Sequence, residues 1–236
     1  MKINILVLLN FLFLQCVYAQ VILKDFKGMV YAIDNYGKRV DLKKGDVIER
    51  GYTVFTSSSS EAEIMLDKNI GIVILYENTK LLLETTTENK SISFIESFFG
   101  IKNLNANEEN ENIIDYLYGK AVFVFKNLGK LKYNVKTIHA VCGVRGTSFI
   151  INSNDKVSEI GVYRGEVEIS KNDKKKIIKR NQTAYIYNTD IKIENRLSKI
   201  AEKEKNRALK IEKYFENLRK KIEKRNEKIN QRLSKD

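Results

Sequence analysis

The chain contains no proline and no tryptophan, one histidine (His139) and two cysteines (Cys16 and Cys142) in 236 residues. The missing proline and tryptophan accompany an abundance of Lys, Asn and Ile, a bias of composition that excludes no function. The scarcity of histidine and thiol excludes more. One imidazole and one or two sulfurs cannot complete a typical four-ligand zinc site, so no metal centre and no cofactor is expected. Long apolar runs are also scarce. The only one, Ile3–Leu14, follows Lys2 and is interrupted by Asn10. It is shorter than the roughly 20 residues a membrane-spanning helix needs.

That N-terminal stretch, MKINILVLLNFLFLQCVYAQ, has the organisation of a secretory signal peptide, with Val17-Tyr18-Ala19 as a small-residue exit and cleavage between Ala19 and Gln20. Residues 1–19 are therefore expected to be removed and the remainder exported to the periplasm or cell envelope. Lipidation at Cys16 is the less favoured alternative, because Gln15 stands where a small residue is usual. Cleavage after Ala19 leaves Cys142 as the only thiol, which excludes an internal disulfide. Stability must then come from a packed core.

Between about residues 20 and 188 the chain reads as short β-rich runs cut by turn chemistry. In GYTVFTSSSSEAEIMLDKNIGIVILYENTKLLLE (51–84), Val, Ile, Thr and Tyr runs are separated by Ser-Ser-Ser-Ser, Asp-Lys-Asn and Glu-Asn. GKAVFVFKNLGKLKYNVKT (119–137) reads as a hairpin turning at Asn127-Leu128-Gly129-Lys130. The polar, acidic stretch 103–115 reads as a mobile loop inserted between strands. The fold class expected is mainly β: a sandwich, a barrel or a solenoid-like stack.

The net charge of +12 is uneven: residues 191–236 hold 16 Lys and Arg against 8 Asp and Glu. This region, 189–236, has no Gly or Pro and predicts a long basic amphipathic helix. Its apolar residues at Ile193, Leu197, Ile200, Ala208, Ile211, Phe215, Leu218, Ile222, Ile229 and Leu233 are spaced mostly three and four apart. A coiled-coil seam is suggested from Ile211, with Arg225 interrupting it. The stripe is expected to dock on its own domain or to self-associate. Contact with a membrane surface is disfavoured by the interleaved glutamates, and nucleic acid by the absence of any base-reading or stacking pattern.

A catalytic centre is not evident. His139 and Cys142 lie three apart, a spacing that points to opposite faces of a strand, and free cysteine is commonly buried. The acidic cluster Glu108, Glu109 and Glu111 reads as solvated charge. Gly143-Val144-Arg145-Gly146-Thr147-Ser148 lacks both the glycine spacing and the lysine of a phosphate-binding loop, and it runs on into a strand. No catalytic residue is assigned, and the protein is expected not to be an enzyme.

The same stretch carries a resemblance. KYNVKTIHAVCGVRGTSFII (132–151) resembles the signature of the FecR domain family, with Val135 and Thr137 leading to Val144, Arg145, Gly146, Thr147 and Phe149. Flanking segments 42–66, 117–125 and 158–170 are similar to the family in order, so the resemblance covers about residues 28–187. It departs at Asn181-Gln182, where a Gly-Gln is common, and in the insertion 103–115. The resemblance implies a compact, all-β, partly solenoid-like periplasmic domain without catalysis. In the best-known arrangement that domain relays the state of an outer-membrane transporter to a sigma factor. The expectation is a binding or scaffolding module with a protein or envelope partner; the alternative is the periplasmic part of a split sigma and anti-sigma signalling system.

Overall fold

The computed structural model describes residues 21–66, 71–83, 111–126, 133–172 and 174–233. The predicted signal peptide with its Ala19–Gln20 cleavage point, and the first part of the predicted loop, 103–110, lie outside the described residues. In chain order the strands are β1 (Val21–Lys27), β2 (Val30–Ile33), β3 (Arg39–Asp41), β4 (Val47–Ile48), β5 (Thr53–Thr56), β6 (Glu61–Met65), β7 (Gly71–Leu75) and β8 (Thr79–Leu83). The second half holds β9 (Glu111–Phe125), β10 (Tyr133–Thr137), β11 (Val141–Val144), β12 (Ser148–Ser153), β13 (Ser158–Arg164), β14 (Glu166–Lys171), β15 (Lys174–Lys179), β16 (Thr183–Ile186) and β17 (Ile191–Glu194). A single helix, α1 (Lys199–Leu233), follows.

Two sheets share one strand. The first runs β4-β1-β6-β7-β9-β12-β13-β16-β17 and is antiparallel throughout. The second runs β3-β2-β5-β8-β9-β10-β11-β14-β15. β9 belongs to both because it bends at Gly119, whose φ of 103° is open only to glycine at little cost. A Cβ there would come within 2.7 Å of the Thr79 backbone. After β9 the chain lays down hairpins alternately in the two sheets: β10–β11, then β12–β13, then β14–β15, then β16–β17. The architecture is thus a sandwich built by a coil-like winding.

The inward faces of both sheets meet in one core. Leu23, Ile64, Leu75, Phe123, Phe149 and Ile160 of the first sheet join Val54, Leu81, Leu117, Val135, Cys142 and Ile169 of the second. Strand alternation accounts for this: in β6 the pattern from Glu61 is half-buried, buried, half-buried, buried, half-buried. At the centre the rings of Phe123 and Phe149 stack 4.9 Å apart, with Phe125 6.1 Å from Phe149.

Three sequence expectations need correction. Residues 119–137 do not form a hairpin, because β10 lies parallel to the first half of β9, Tyr133 opposite Glu111. The alternation of apolar residues identified two strands but carried no information about which edge the second would join. The predicted loop 103–115 is too long at its C-terminal end, where Glu111–Asp115 are already strand, held between β8 and β10. Pairing with β10 outweighs the poor β propensity of Glu111 and Asn112, and β8 joins on the other side from Ile114. The helix predicted over 189–236 begins only at Lys199, and Ile193 sits in β17, paired with Ala184 of β16. The strands therefore continue to residue 194.

Candidate functional site

The residues singled out by the sequence lie where the chain passes from one sheet to the other. Val144 ends β11 in the second sheet, paired with Tyr133 and Val167. Arg145 is exposed and Gly146 takes φ 59° at the bend. Thr147 is wholly buried, and Phe149 enters the core of the first sheet. The Thr147 hydroxyl accepts from the Arg145 N–H at 3.2 Å and faces two carbonyl acceptors, Glu166 at 3.1 Å and Arg145 at 3.2 Å. Its own carbonyl accepts from the Phe125 N–H at 2.9 Å. A second glycine with positive φ, Gly165 at 78°, lies against it, so that a Cβ there would come 3.2 Å from the Thr147 hydroxyl. The signature is a crossover whose threonine hydroxyl is spent on neighbouring backbone.

The reactive-looking pair is separated. His139 Nδ1 shares a 2.9 Å hydrogen bond with the Ser158 hydroxyl, which also donates to Thr137 at 3.1 Å and shares a 2.7 Å bond with Ser153. Burial, reinforced by the charge of Lys171, holds the His139 imidazole below its ordinary pKa. Cys142 points into the sandwich core, where burial pushes its thiol up to about 12. A thiol so protonated is a poor nucleophile at neutral pH. Among the described residues no three His, Cys, Asp or Glu side chains gather where they could hold a metal ion.

What sequence reasoning missed is a polar lock beneath the helix. Helix α1 lies on the outer face of the first sheet, across β9, β12 and β13. Leu197, Ala201, Ala208, Ile211 and Phe215 cover Ile72, Ile74, Val122, Val124 and Ile150 there. Ser198 caps the helix, accepting from the Ala201 N–H at 3.0 Å, and its hydroxyl donates to Glu159. Close approach is allowed by Gly161, where a Cβ would fall 2.7 Å from that of Ala201.

Glu204 stands in the apolar stripe, accepting from Tyr76 Oη at 2.5 Å and from Lys120 Nζ at 2.8 Å. Lys120 also sits over the Tyr76 ring, 4.0 Å from its centre. Tyr163 donates to the Ala201 carbonyl at 2.8 Å, Arg207 pairs with Glu61, and Arg164 with Glu212 at 3.4 Å. Burial works to raise the Glu204 carboxyl, but the bonds from Lys120 and Tyr76 outweigh it and leave it below its usual pKa. The one signal in the sequence was a glutamate at a stripe position, three residues after Ala201 and four before Ala208.

Among the described residues no helix is long and apolar enough to cross a membrane. No curated protein matches the chain. Two crystal structures of a candidate anti-sigma factor from Parabacteroides distasonis are similar to it at 16% and 17% identity, with TM-scores of 0.46 and 0.47. Each match covers 61% of this chain and 59% of the other, so it spans less than two thirds of that protein. The family model described as FecR protein matches residues 52–168, from the edge of β5 into β14. That span includes the whole crossover from Val144 to Phe149, and residues 52–168 form a FecR domain.

Proposed function

We propose that the protein is a non-enzymatic signal-relay component, exported to the periplasm or cell envelope, that passes the state of one protein to another by contact. The observation that carries this reading is the FecR domain at residues 52–168. Its support is chemical as well: the Cys142 thiol is buried and held protonated, and the His139 imidazole is buried against Ser158. Polar surface without a reactive centre suits recognition. A sigma factor and its membrane-bound regulator are the partners the family resemblance points to, in a split arrangement.

The second reading, a scaffold module that joins envelope proteins without transmitting a state, draws on the locked helix, which makes body and helix one rigid presenting surface. Deleting the gene distinguishes the two. A relay predicts altered transcription of one sigma-dependent set of genes, restored by the full-length protein. An unchanged transcript profile across envelope and nutrient stresses would refute relay, and recovery of the native protein from the cytoplasm would refute export.

A further inference from the structure

Helix α1 is longer than the sheet it rests on. Its 35 residues extend about 52 Å at 1.5 Å each, yet the buried contacts end at Phe215 and Leu218. Every described side chain from 219 to 227 is exposed, and the stripe continues outward with Ile222 at 58% and Ile229 at 44% exposure. The apolar positions 211, 215, 218, 222 and 229 share one face of the helix, with Arg225 and Asn226 between the last two, so the overhang continues the narrow face that the sheet covers further back.

Charge is sorted about that seam. Lys221 and Arg225, four apart, stand on one flank, and Lys228 and Arg232 continue the spacing of three and four in the sequence. Neither Lys221 nor Arg225 has an acidic residue three or four positions away on the helix. By contrast Glu216 and Glu223, on the opposite flank, pair with Lys220 and Arg219 at 2.8 and 3.3 Å. Like charges at such spacing destabilise an isolated helix, which an acidic neighbour would reverse.

We infer that the overhang, residues 219–233, is a docking surface for an acidic amphipathic helix of a partner protein. This rests on the reading that the protein works through protein contacts, and it names the chemistry of one partner. A second copy would bring cationic overhangs together, eight basic against three acidic residues in each 219–236 segment, over two exposed isoleucines apiece. A lipid surface calls for a broad apolar face rich in large side chains, whereas this seam is narrow and flanked on one side by glutamates. A single helix with leucines in its seam and glutamates along its edge complements both features.

The test uses the full chain after removal of residues 1–19 and a labelled synthetic peptide of about four heptads, with Leu at a and d and Glu at e and g. Its Lys-flanked counterpart and phosphatidylglycerol vesicles serve as the other arms. The acidic peptide is expected to bind, and to lose about tenfold in affinity on added salt, in Ile222→Asp with Ile229→Asp, and in Lys221→Glu with Arg225→Glu. These positions do not touch the sheet, so an unchanged urea midpoint certifies the fold. Equal binding of the two peptides, binding of neither, vesicle binding without peptide binding, or a dimer abolished by the same variants would each overturn the inference. None of these results would bear on the transcript profile that tests the relay.

Discussion

Removing the ammonium of Lys120 while keeping most of its stem, as Lys120→Met does, isolates the electrostatic part of the helix lock. In the native protein the Lys120 side chain is 25% and the Glu204 side chain 10% exposed, and their 2.8 Å pair links β9 to α1. Breaking a fully buried pair by deleting one partner costs about 3–5 kcal/mol, because a charge is left without compensation. Here water reaches a quarter of Lys120 and Tyr76 still donates to Glu204, which lowers the expected loss to about 2 kcal/mol. With a urea slope of about 2.5 kcal/mol per molar, the midpoint falls by about 0.8 M.

Adding Glu204→Gln removes the orphaned charge. The double variant should therefore lose less than the two single variants together, by about 1 kcal/mol or more. Because the folded Glu204 pKa is depressed, its contribution is fully present above the unfolded value and is lost as pH falls through the folded one. The gap between wild type and Lys120→Met thus narrows below pH about 4.3. Additive losses, or a Lys120→Met loss under about 0.5 kcal/mol, would show that the lock is a surface ion pair without structural weight.

At the crossover, Thr147→Val should cost about 1–3 kcal/mol by leaving the Arg145 N–H and Glu166 carbonyl without the hydroxyl. Phe149→Ala should cost about 3–5 kcal/mol by emptying the ring stack; both are read from urea melts, and losses below 0.5 kcal/mol would refute a structural signature. The buried His139 has a lowered folded pKa, so the unfolded chain binds the proton first and stability falls as pH drops below about 6.5. His139→Asn should flatten that part of the pH profile, and an unaltered slope would contradict the assignment. Cys142 should react with a thiol reagent only at the rate of global unfolding, and rapid labelling of the folded protein would reopen nucleophilic chemistry.

Much of this was legible because it depends on local pattern. Runs such as Thr53–Thr56 and Glu61–Met65 alternate because one face meets the core, and Ser57–Ser60 turn between them. The stretch from Gly143 was recognisable as running on into a strand because Phe149–Ile151 is an apolar β run, and Gly146 takes the φ of 59° that the bend before it needs. The helix stripe from Leu197 to Leu218 is likewise a periodicity of the chain itself. The boundary at Glu111 failed because β10 supplies hydrogen bonds that the local composition does not request, and the one at Lys199 because Ile191–Glu194 closes a hairpin with β16 ahead of the helix.

By itself, then, the sequence determined a mainly β body, a glycine-containing turn between strands in the stretch from Val144 to Phe149 and a long basic helix, since propensity, turn chemistry and apolar spacing act within a few residues. Only the tertiary structure decided that β10 would run parallel to β9. It also decided that β9 would serve two sheets, and that Glu204, Tyr76 and Lys120 would meet beneath the helix. The Glu204 contacts join residues 84 and 128 positions apart, and no local rule of the chain reports which surfaces will face each other.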